Sequence, residues 1–383
     1  MKSGSGVLPV NHAQGARATS RIFFVAKSKI IILGPTPPPY GGVAIYTSAL
    51  YGFVRGRGVR LWTYSDHRTN DENVRYLKPF HLKVIPSLIR EAFKSRIIDS
   101  SYFAIEHPHK ILLPLWIISK LLLRFVWVKI FHDGSLPFRY PAFSRLEKLL
   151  FRSAIKSVTE FVVVNENLRV WLQSEIGVKQ NILVIKSLLP IPAETFDAPL
   201  PEDTDKAISR YAKKVCSIGV FIPEYGFKEV AEAVGEIRVE TGEDIGLVLI
   251  DCGYVSNKSY ESEVFAGRGW ISVLRNVPQP VVLQILKRSD VFVRAFGLES
   301  YGLSRVEAIW CGVPVVAANS GETRGMLLYD YGDQEGLVKQ IKESLFNSSK
   351  QDVQSWAAMY QREAEQNLRD LKKVIGPEGS IES

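Results

Sequence analysis

Three features are scarce in this sequence of 383 residues: cysteine, long apolar runs, and acidic residues near the N-terminus. The three cysteines, Cys216, Cys252 and Cys311, are too few and too scattered for a disulfide framework or a four-ligand zinc site. That scarcity predicts a reducing compartment and therefore a cytoplasmic protein. Hydrophobic residues make up 46% and charged residues 23% of the chain, which excludes a disordered or collagen-like protein. The length suits two domains, each with its own core.

No apolar run in the sequence is long enough to cross a membrane. The best candidate, residues 111–131, contains three cations, and its longest uncharged run is residues 111–119, well short of about 20 residues. The apolar run at 22–26 is also too short for the core of a signal peptide. We therefore expect residues 1–28, which are basic and rich in glycine and serine, to be a disordered leader.

Acidic residues are absent before Asp66, and charge is divided unequally along the chain. Residues 1–200 contain 27 Lys and Arg against 13 Asp and Glu, whereas residues 201–383 contain 21 against 27. This asymmetry indicates that the two halves face different partners. A polar segment with several prolines, at 188–207, lies where the balance inverts, and it is the predicted linker.

Short apolar runs alternate with helical stretches, which is typical of parallel sheets covered by helices. In the first half the predicted strands lie at 101–105, 125–131 and 160–165. We predict an α/β protein of two Rossmann-like, doubly wound domains, at 29–200 and 201–355, with ligands in the cleft where the carboxyl ends of both sheets meet. A C-terminal helix and tail at 356–383 is a candidate to pack back on the first domain.

The segment at 289–325 combines a strand, a glycine-containing loop and a helix that starts near Ser304. The free N–H groups of a helix start favour a phosphate, and Gly302 lets the backbone approach one closely. Glu299 and Glu307 add two carboxylates, which suit recognition of sugar hydroxyls or stabilisation of developing positive charge. The alternative is a serine-capped helix with an acidic first turn and no ligand.

The residues ESYGLSRVE at 299–307, followed by AIWCGVPVVA, resemble the Glu-x7-Glu signature of retaining family-4 glycosyltransferases, which have the GT-B architecture. Three more segments resemble that family in the same order: LGPTPPPYGGVAIYTSAL at 33–50, KIFHDGS at 129–135 and SIGVFIPEYGFKEVAEAV at 217–234. The resemblance implies transfer of a sugar from a nucleoside-diphosphate donor to a glycan or lipid-linked acceptor, with retention at the anomeric carbon. It also implies that the reaction needs no metal ion and no cofactor.

The resemblance implies roles for individual residues as well. Glu299 and His132 would act at the transferred sugar, Glu299 by holding its hydroxyls and stabilising an oxocarbenium-like transition state. Glu307 would accept hydrogen bonds from the donor ribose. The other donor-binding residues would surround the sugar and diphosphate: Gly41, Gly42, Arg294, Ser300, Tyr301, Gly302 and Leu303. For His132 taken alone, an interior histidine without a ligand is the alternative.

The sequence departs from the family where a basic pair normally stabilises the departing diphosphate. Val220 and Tyr225 occupy those two positions. Each lost charge-assisted phosphate contact would cost about 1.5–3 kcal/mol, so we expect Arg294 to supply the missing charge. Weaker candidates are Lys228, Arg305 and Arg324. Without a replacement, the chain would be a catalytically silent binder of nucleotide sugar or glycan that regulates a partner enzyme. A third hypothesis is a sugar-nucleotide epimerase with the GT-B architecture.

Residues 143–156 form a predicted amphipathic helix. Its basic stripe consists of Arg145, Lys148, Arg152 and Lys156. The opposite stripe, which should face the core, contains Phe143, Leu146, Leu150 and Ala154. With the positive first half, this stripe predicts attachment to anionic lipid at the inner face of the cell membrane, close to a lipid-linked or polysaccharide acceptor. A solvated basic face is the alternative, and no nucleic-acid module is recognised.

Overall fold

The computed structural model describes residues 29–376 except 57, 66, 78–84, 102–111 and 349. The predicted leader at 1–28 and the last seven residues of the predicted tail lie outside the described residues. Within the described part, two parallel sheets are each covered by helices on both faces, which gives the GT-B architecture predicted from the sequence.

The first sheet has the strand order β3-β2-β1-β4-β5-β6-β7. Its strands are β1 (Ile30–Leu33), β2 (Val59–Thr63), β3 (Val74–Tyr76), β4 (Arg96–Asp99), β5 (Val126–Phe131), β6 (Glu160–Val163) and β7 (Ile182–Val184). The central strands are near-continuous apolar runs because both faces of the sheet are covered. The strand predicted at 101–105 lies, apart from residue 101, outside the described residues. The strand β4 was not singled out by the sequence; its Ile97 and Ile98 pair in register with Ile31 and Ile32 of β1.

Helices pack on both faces of this first sheet. They are α1 (Gly42–Val54), α2 (Ile85–Ala92), α3 (Leu112–Leu123), α4 (Leu136–Arg139), α5 (Arg145–Ser157) and α6 (Glu166–Trp171). Successive side chains of β1 point to opposite faces: Ile31 packs in a core with residues of α2, α3 and α5, whereas Ile30 and Ile32 pack with α1. The helices α2, α3 and α5 therefore form one outer layer of the first domain.

The second sheet has the order β10-β9-β8-β11-β12-β13. Its strands are β8 (Lys213–Phe221), β9 (Ile245–Ser256), β10 (Ile271–Arg275), β11 (Val291–Arg294), β12 (Val315–Ala318) and β13 (Leu327–Tyr329). The helices of this half are α7 (Glu202–Ile208), α8 (Phe227–Thr241), α9 (Lys258–Phe265), α10 (Gln279–Lys287), α11 (Leu303–Trp310), α12 (Gln334–Asn347) and α13 (Lys350–Ile375). In both sheets every strand runs parallel to its neighbours, so their carboxyl ends present loops on one edge.

The chain passes between the two sheets twice. The first passage follows β7, and the second is α13, which is one continuous helix across the predicted boundary at 355/356. In its first half Val353 and Tyr360 pack in the second domain, and near its end Leu371 and Ile375 pack beside α1 in the first. The end of α13 is also fixed by Arg96, whose Nε donates to the carbonyl oxygen of Val374 at 2.7 Å.

Candidate active site

A cavity of about 440 Å³ lies between the two domains, at the carboxyl ends of the strands. All ten residues predicted to be catalytic or donor-binding line it: Gly41, Gly42, His132, Arg294, Glu299, Ser300, Tyr301, Gly302, Leu303 and Glu307. The basic stripe of α5 is not part of this lining. The loops after β1, β5 and β11 thus bring residues that are far apart in sequence to one cavity.

Two helix N-termini reach the cavity without side-chain caps. Gly41 is the N-cap of α1 and Gly302 is the N-cap of α11, and neither first turn contains an acidic residue. The first N–H groups of a helix have no partner within the helix and carry a partial positive charge. Gly302 has φ of 87°, and a Cβ there would lie 2.9 Å from Cδ of Arg305 and 3.0 Å from Cγ of Glu299. The loop that leads into α11 therefore requires glycine.

Arg294 and Glu299 form an ion pair inside the cavity wall. Nε of Arg294 lies 2.7 Å from Oε2 of Glu299, and Nη1 donates to the carbonyl oxygen of Ile218 at 2.5 Å. Burial alone would lower the pKa of Arg294, but the adjacent Glu299 carboxylate outweighs burial, and the net effect is a raised pKa. The charge that we expected to face a diphosphate is therefore already balanced by a carboxylate.

At one of the two positions where the resembling family carries cations, this chain has an aromatic residue, Tyr225. Tyr225 stacks on Phe296 with ring centroids 4.7 Å apart, and the guanidinium of Arg294 lies 4.8 Å from the centroid of Tyr225. The position of the other missing cation, Val220, is fully buried. Tyr225 fits closely against Gly219, where a Cβ would lie 2.4 Å from its ring. These contacts orient Arg294 by stacking, and its Glu299 partner is held with it.

The weaker candidates for a replacement cation are engaged elsewhere, and none is among the residues that line the cavity. Lys228 pairs with Glu263 at 2.9 Å. Arg305 is fully buried and donates to the carbonyl oxygens of Ser320 and Glu322, which ties two loops together behind Gly302. Arg324 pairs with Glu322 and with Glu363 of α13.

Glu307 is a buried carboxyl group held by an amide. Its Oε1 accepts a hydrogen bond from Nε2 of Gln279 at 2.5 Å. Burial raises the pKa of Glu307 to about 7, while the hydrogen bond from Gln279 acts in the opposite direction. The carboxyl group is therefore partly protonated at neutral pH. Sequence reasoning missed Gln279, which lies 28 residues earlier at the start of α10, and no motif marks it.

His132 follows β5 and lines the cavity as a neutral ring. Its Nδ1 lies 2.8 Å from Oγ of Ser187, and the edge of the ring packs against Tyr46 with centroids 4.7 Å apart. Burial, with a smaller contribution from the charge of Lys129, lowers the pKa of His132 to about 3. Its Nε2 is buried and has no hydrogen-bond partner within the described part of the chain. Two further histidines of the first half, His107 and His109, lie outside the described residues.

Two contacts join the domains next to the cavity. Nδ2 of Asn165 donates to the carbonyl oxygen of Ser300 at 2.9 Å. Gly134 lies against the same residue, since a Cβ there would be 2.6 Å from Cβ of Ser300. The loop that carries Glu299 and Ser300 is therefore held from the first domain, at residues that sequence reasoning did not single out.

The predicted amphipathic helix is α5, which begins one residue after Ser144, its capping residue. The basic stripe is present, but one part of the prediction is wrong: Leu146 is exposed and does not face the core. Phe151 and Ile155 fill the core together with Ala154, so the apolar stripe lies elsewhere on the helix. Lys148 donates to the carbonyl oxygen of Pro141 at 2.8 Å, and Arg152 donates to the hydroxyl group of Tyr140 at 3.0 Å.

Over the described ranges, no group of three or more His, Cys, Asp or Glu side chains is placed to hold a metal ion. In the same ranges, every helix is too short or too polar to cross a membrane.

The second half of the chain matches a known family. Residues 202–353 match the family described as Glycosyl transferases group 1. This range contains β8 to α12, including Arg294, Glu299 and Glu307. Residues 202–353 are therefore similar to a group 1 glycosyl transferase domain. No curated protein sequence matches the chain.

Solved structures with the same fold cover nearly the whole chain. HepE of Anabaena in complex with UDP-glucose has a TM-score of 0.68 at 15% identity and covers 90% of this chain and 99% of its own. WaaG, a glycosyltransferase involved in lipopolysaccharide biosynthesis, has a TM-score of 0.64 at 12% identity, with coverage of 90% and 99%. Sucrose-phosphate synthase of Thermosynechococcus elongatus has a TM-score of 0.61 at 15% identity, with coverage of 91% and 96%. At these identities the similarity establishes the fold.

Proposed function

We propose that this protein is a retaining glycosyltransferase that moves a sugar from a nucleoside-diphosphate donor to a glycan or lipid-linked acceptor, without a metal ion or a cofactor. The observation that carries the proposal is the meeting of two uncapped helix N-termini, at Gly41 and Gly302, with Glu299, Glu307 and His132 on one interdomain cavity. The match of residues 202–353 to group 1 glycosyl transferases supports it, as does the UDP-glucose bound by the structurally similar HepE.

The chemistry of the lining suggests where each part of a donor would bind. The diphosphate suits the N–H groups after Gly302 and Gly41, because both helix ends favour an anion. The ribose hydroxyls suit Glu307, which is an acceptor when it is ionised. The sugar would then lie toward Glu299 and His132. When the bond from the anomeric carbon to the diphosphate breaks, positive charge grows on the sugar and negative charge on the diphosphate. Glu299 and the helix ends would stabilise those two charges respectively.

Arg294 has two possible roles in this arrangement. One belongs to an active enzyme and the other to a catalytically silent binder. In an active enzyme, the Arg294–Glu299 pair orients the carboxylate beside the sugar while the helix ends bind the diphosphate. In a catalytically silent binder, the pair only completes the cavity wall. The observation that favours the silent binder is that Arg294, the one Lys or Arg among the described residues of the lining, already has a carboxylate partner at 2.7 Å.

A thermal-shift screen of nucleoside diphosphates and nucleotide sugars tests donor binding. A ligand that binds only the folded state stabilises it by mass action, by about 2.7 kcal/mol at a hundredfold excess over Kd, and so raises the melting temperature. We expect nucleotides with one particular nucleobase to raise the melting temperature of the protein, and by the same amount in the presence of a chelator. Loss of the shift on chelation would contradict the metal-free proposal.

Donor hydrolysis then separates the enzyme from the silent binder. We expect release of nucleoside diphosphate by the wild-type protein above the rate in buffer, with loss of that release in Glu299→Ala. Tight donor binding with no release, with or without acceptor glycans or lipid-linked acceptors, would support the silent binder. Anomeric analysis of the product by NMR tests retention, and an inverted configuration would refute it.

We also propose that the protein is peripheral on the inner face of the cell membrane and that the outer layer of α2, α3 and α5 is its membrane-facing surface. Among the described residues, large apolar side chains on these helices, or directly after α2 for Phe93, are exposed: Ile89, Phe93, Ile118, Leu121, Leu122, Leu146 and Leu149. Exposed cations lie on the same three helices or directly after them: Arg90, Lys94, Arg124, Arg145, Arg152 and Lys156. Apolar side chains among cations are the composition of a surface that lies on anionic lipid.

Few acidic groups oppose this surface in the described parts of α2, α3 and α5. Glu91 of α2 is buried and pairs with Arg75 at 3.2 Å. Glu147 of α5 completes the capping box with Ser144 at the start of the helix. The surface is therefore positive, and it would bring the interdomain cavity close to a lipid-linked acceptor.

Sedimentation with lipid vesicles tests the surface without any donor. We expect binding to vesicles that contain an anionic lipid and not to neutral ones, with at least tenfold weaker binding by the double variant Leu121→Ser/Leu122→Ser, whose side chains are 72% exposed. Val239→Ser, an 88% exposed apolar residue of α8 in the second domain, is the matched control and should bind as the wild type does. Equal binding by both variants would refute this surface while leaving donor transfer untouched.

A further inference from the structure

The segment that leaves β7 and enters the second domain touches the candidate active site. Ser187 belongs to this segment and lines the cavity, and its Oγ lies 2.8 Å from Nδ1 of His132. Nε2 of His132, at the other side of the ring, is buried and lacks a hydrogen-bond partner among the residues described. The ring lines the cavity, and it thus has one nitrogen held by the protein and one that none of the described residues satisfies.

We propose that Ser187 is a positioning residue: it donates its hydroxyl proton to Nδ1 of His132, so that the ring presents an N–H at Nε2 to an oxygen atom of the bound donor. The ligand group is a phosphate or sugar oxygen, and the inference rests on the proposed function for that identity and for the direction of the hydrogen bond. The hydrogen bond itself belongs to the protein without donor.

The direction of the hydrogen bond follows from what Nε2 must offer to a bound donor. A neutral imidazole carries one N–H, and burial keeps this ring neutral because it lowers the pKa of His132 to about 3. If Nδ1 carried the proton and donated to Ser187, Nε2 would present a lone pair, which an ionised phosphate oxygen, itself only an acceptor, cannot satisfy. If Ser187 donates to Nδ1, Nε2 carries an N–H that such an oxygen can accept. A buried polar group left unpaired costs about 1–3 kcal/mol, so a donor oxygen favours the second arrangement.

Lys186, the preceding residue, anchors this segment to the second domain. Its Nζ lies 2.9 Å from Oε2 of Glu322 and 2.8 Å from Oε1 of Glu363. Burial alone would raise the pKa of Glu322, but hydrogen bonds from Arg324 and Lys186 outweigh burial and lower it to about 2, so Lys186 meets an ionised carboxylate.

Glu322 also connects the Lys186 ion pairs to the loop that carries Glu299. Its backbone N–H donates to the carbonyl oxygen of Tyr301 at 2.9 Å, two residues after Glu299. Two successive side chains therefore contact different domains. Lys186 binds the second domain next to the loop that carries Glu299, and Ser187 binds His132 of the first domain. The orientation of His132 is thus tied to the position of the loop that carries Glu299.

Nitrogen NMR of the full-length protein without donor tests the assignment. In protein labelled with 15N at histidine, we expect a protonated Nε2 and an unprotonated Nδ1 for His132, assigned by their loss in His132→Asn. In Ser187→Ala the Nδ1 resonance should move downfield because it loses its donor, and Ser187→Thr should restore the wild-type position. A protonated Nδ1 in the wild type, or an unchanged Nδ1 in Ser187→Ala, would overturn the proposal.

Kinetics with the donor found in the thermal-shift screen give the second test. Ser187→Ala should lower kcat at least tenfold with KM for the donor changed less than threefold, and Ser187→Thr should recover most of the rate. Ser344→Ala, which removes a buried serine hydroxyl from α12 away from the cavity, is the control and should keep the wild-type kcat. A kcat equal to the wild type in Ser187→Ala would overturn the positioning role.

The two measurements separate the two claims. If no variant and no wild-type sample turns over any donor, the proposed function fails, while the NMR result still decides the hydrogen bond. Lys186→Met should reproduce part of the NMR change of Ser187→Ala, because the anchor is lost, whereas Lys228→Met, which removes a surface ion pair, should not. Identical spectra of Lys186→Met and the wild type would refute the anchoring step.

Discussion

Glu307 should make the stability of this protein depend on pH in a direction opposite to that of most carboxylates. The group is 3% exposed, and its one hydrogen-bond partner among the residues described is the amide of Gln279. Replacement by glutamine keeps the shape and an acceptor oxygen but removes the titration. The perturbation therefore isolates the ionisation of Glu307 from its packing.

The magnitude follows from the two proton affinities. Burial raises the pKa of Glu307 from 4.5 to about 7, so the folded chain binds a proton more tightly than the unfolded chain does in this window. Because each tenfold difference in proton affinity is worth about 1.4 kcal/mol, the free energy of unfolding should fall by about 3 kcal/mol as the pH rises through that window. The loss is absent well below pH 4.5 and complete above about pH 7.

His132 contributes a change of the opposite sign, which is why the measurement must be a difference. Its pKa falls from 6.5 in the unfolded chain to about 3 in the folded one, so the unfolded chain binds the extra proton and stability rises with pH over that range. In the wild type the two effects oppose each other where their windows overlap. Both Glu307→Gln and the wild type contain His132, so its contribution cancels between them.

Urea unfolding at several pH values between 5 and 8 gives the difference directly. The stability of Glu307→Gln relative to the wild type should increase by about 2–3 kcal/mol from the lowest to the highest pH. Glu335→Gln, on the exposed surface of α12, controls for the change in net charge. A stability difference between Glu307→Gln and the wild type that stays constant across the range would refute the burial argument for this carboxyl group.

Three further changes test the site. Arg294→Met leaves the Glu299 carboxylate, 11% exposed, without its partner. We expect the free energy of unfolding in urea to fall by about 3–5 kcal/mol and donor binding, measured by calorimetry, to become much weaker. Lys228→Met should change neither quantity, and equal effects of the two variants would count against the Arg294–Glu299 pair. Glu299→Gln should bind donor within a few-fold of wild type but release product at least a hundredfold more slowly; an unchanged rate would remove Glu299 from catalysis. Gly134→Ala places a Cβ 2.6 Å from Cβ of Ser300. It should therefore weaken donor binding while the melting curve stays near that of the wild type. An unchanged affinity for the donor would show that this contact does not shape the site.

The parts of the fold that sequence could predict are those where one signal dominates. Apolar runs such as Val126–Phe131, followed by a glycine loop and a helix, predict a parallel sheet because both faces must be covered. The strand β4 could not be recognised from the sequence, since it has four residues with Arg96 and Asp99 at its ends, and only its pairing with β1 in the folded chain shows it. The strands β3, β7 and β13 have three residues each, too few for any periodicity to show.

The candidate site divides in the same way. Its glycines and glutamates form a local pattern with a chemical meaning, so the sequence points to them. Gln279 and Ser187 reach Glu307 and His132 from 28 and 55 residues away, and only the folded chain brings them there. The helical wheel of α5 shows a basic stripe but does not say which neighbouring stripe meets the core. Phe151, a larger side chain than Leu146, takes that place.

The charge balance of the cavity explains how a diphosphate could bind without the basic pair of the resembling family. Its lining contains Arg294 and three carboxyl groups, but Arg294 pairs with Glu299, and Asp251 pairs with Arg275. Glu307 is partly protonated near neutral pH because of its burial. The side chains therefore contribute little net charge of either sign. Each uncapped helix end adds about half a positive charge, so α1 and α11 together can replace roughly one cation. A diphosphate would then be held mainly by backbone N–H groups, and at Gly302 the absence of a side chain leaves the approach to α11 open.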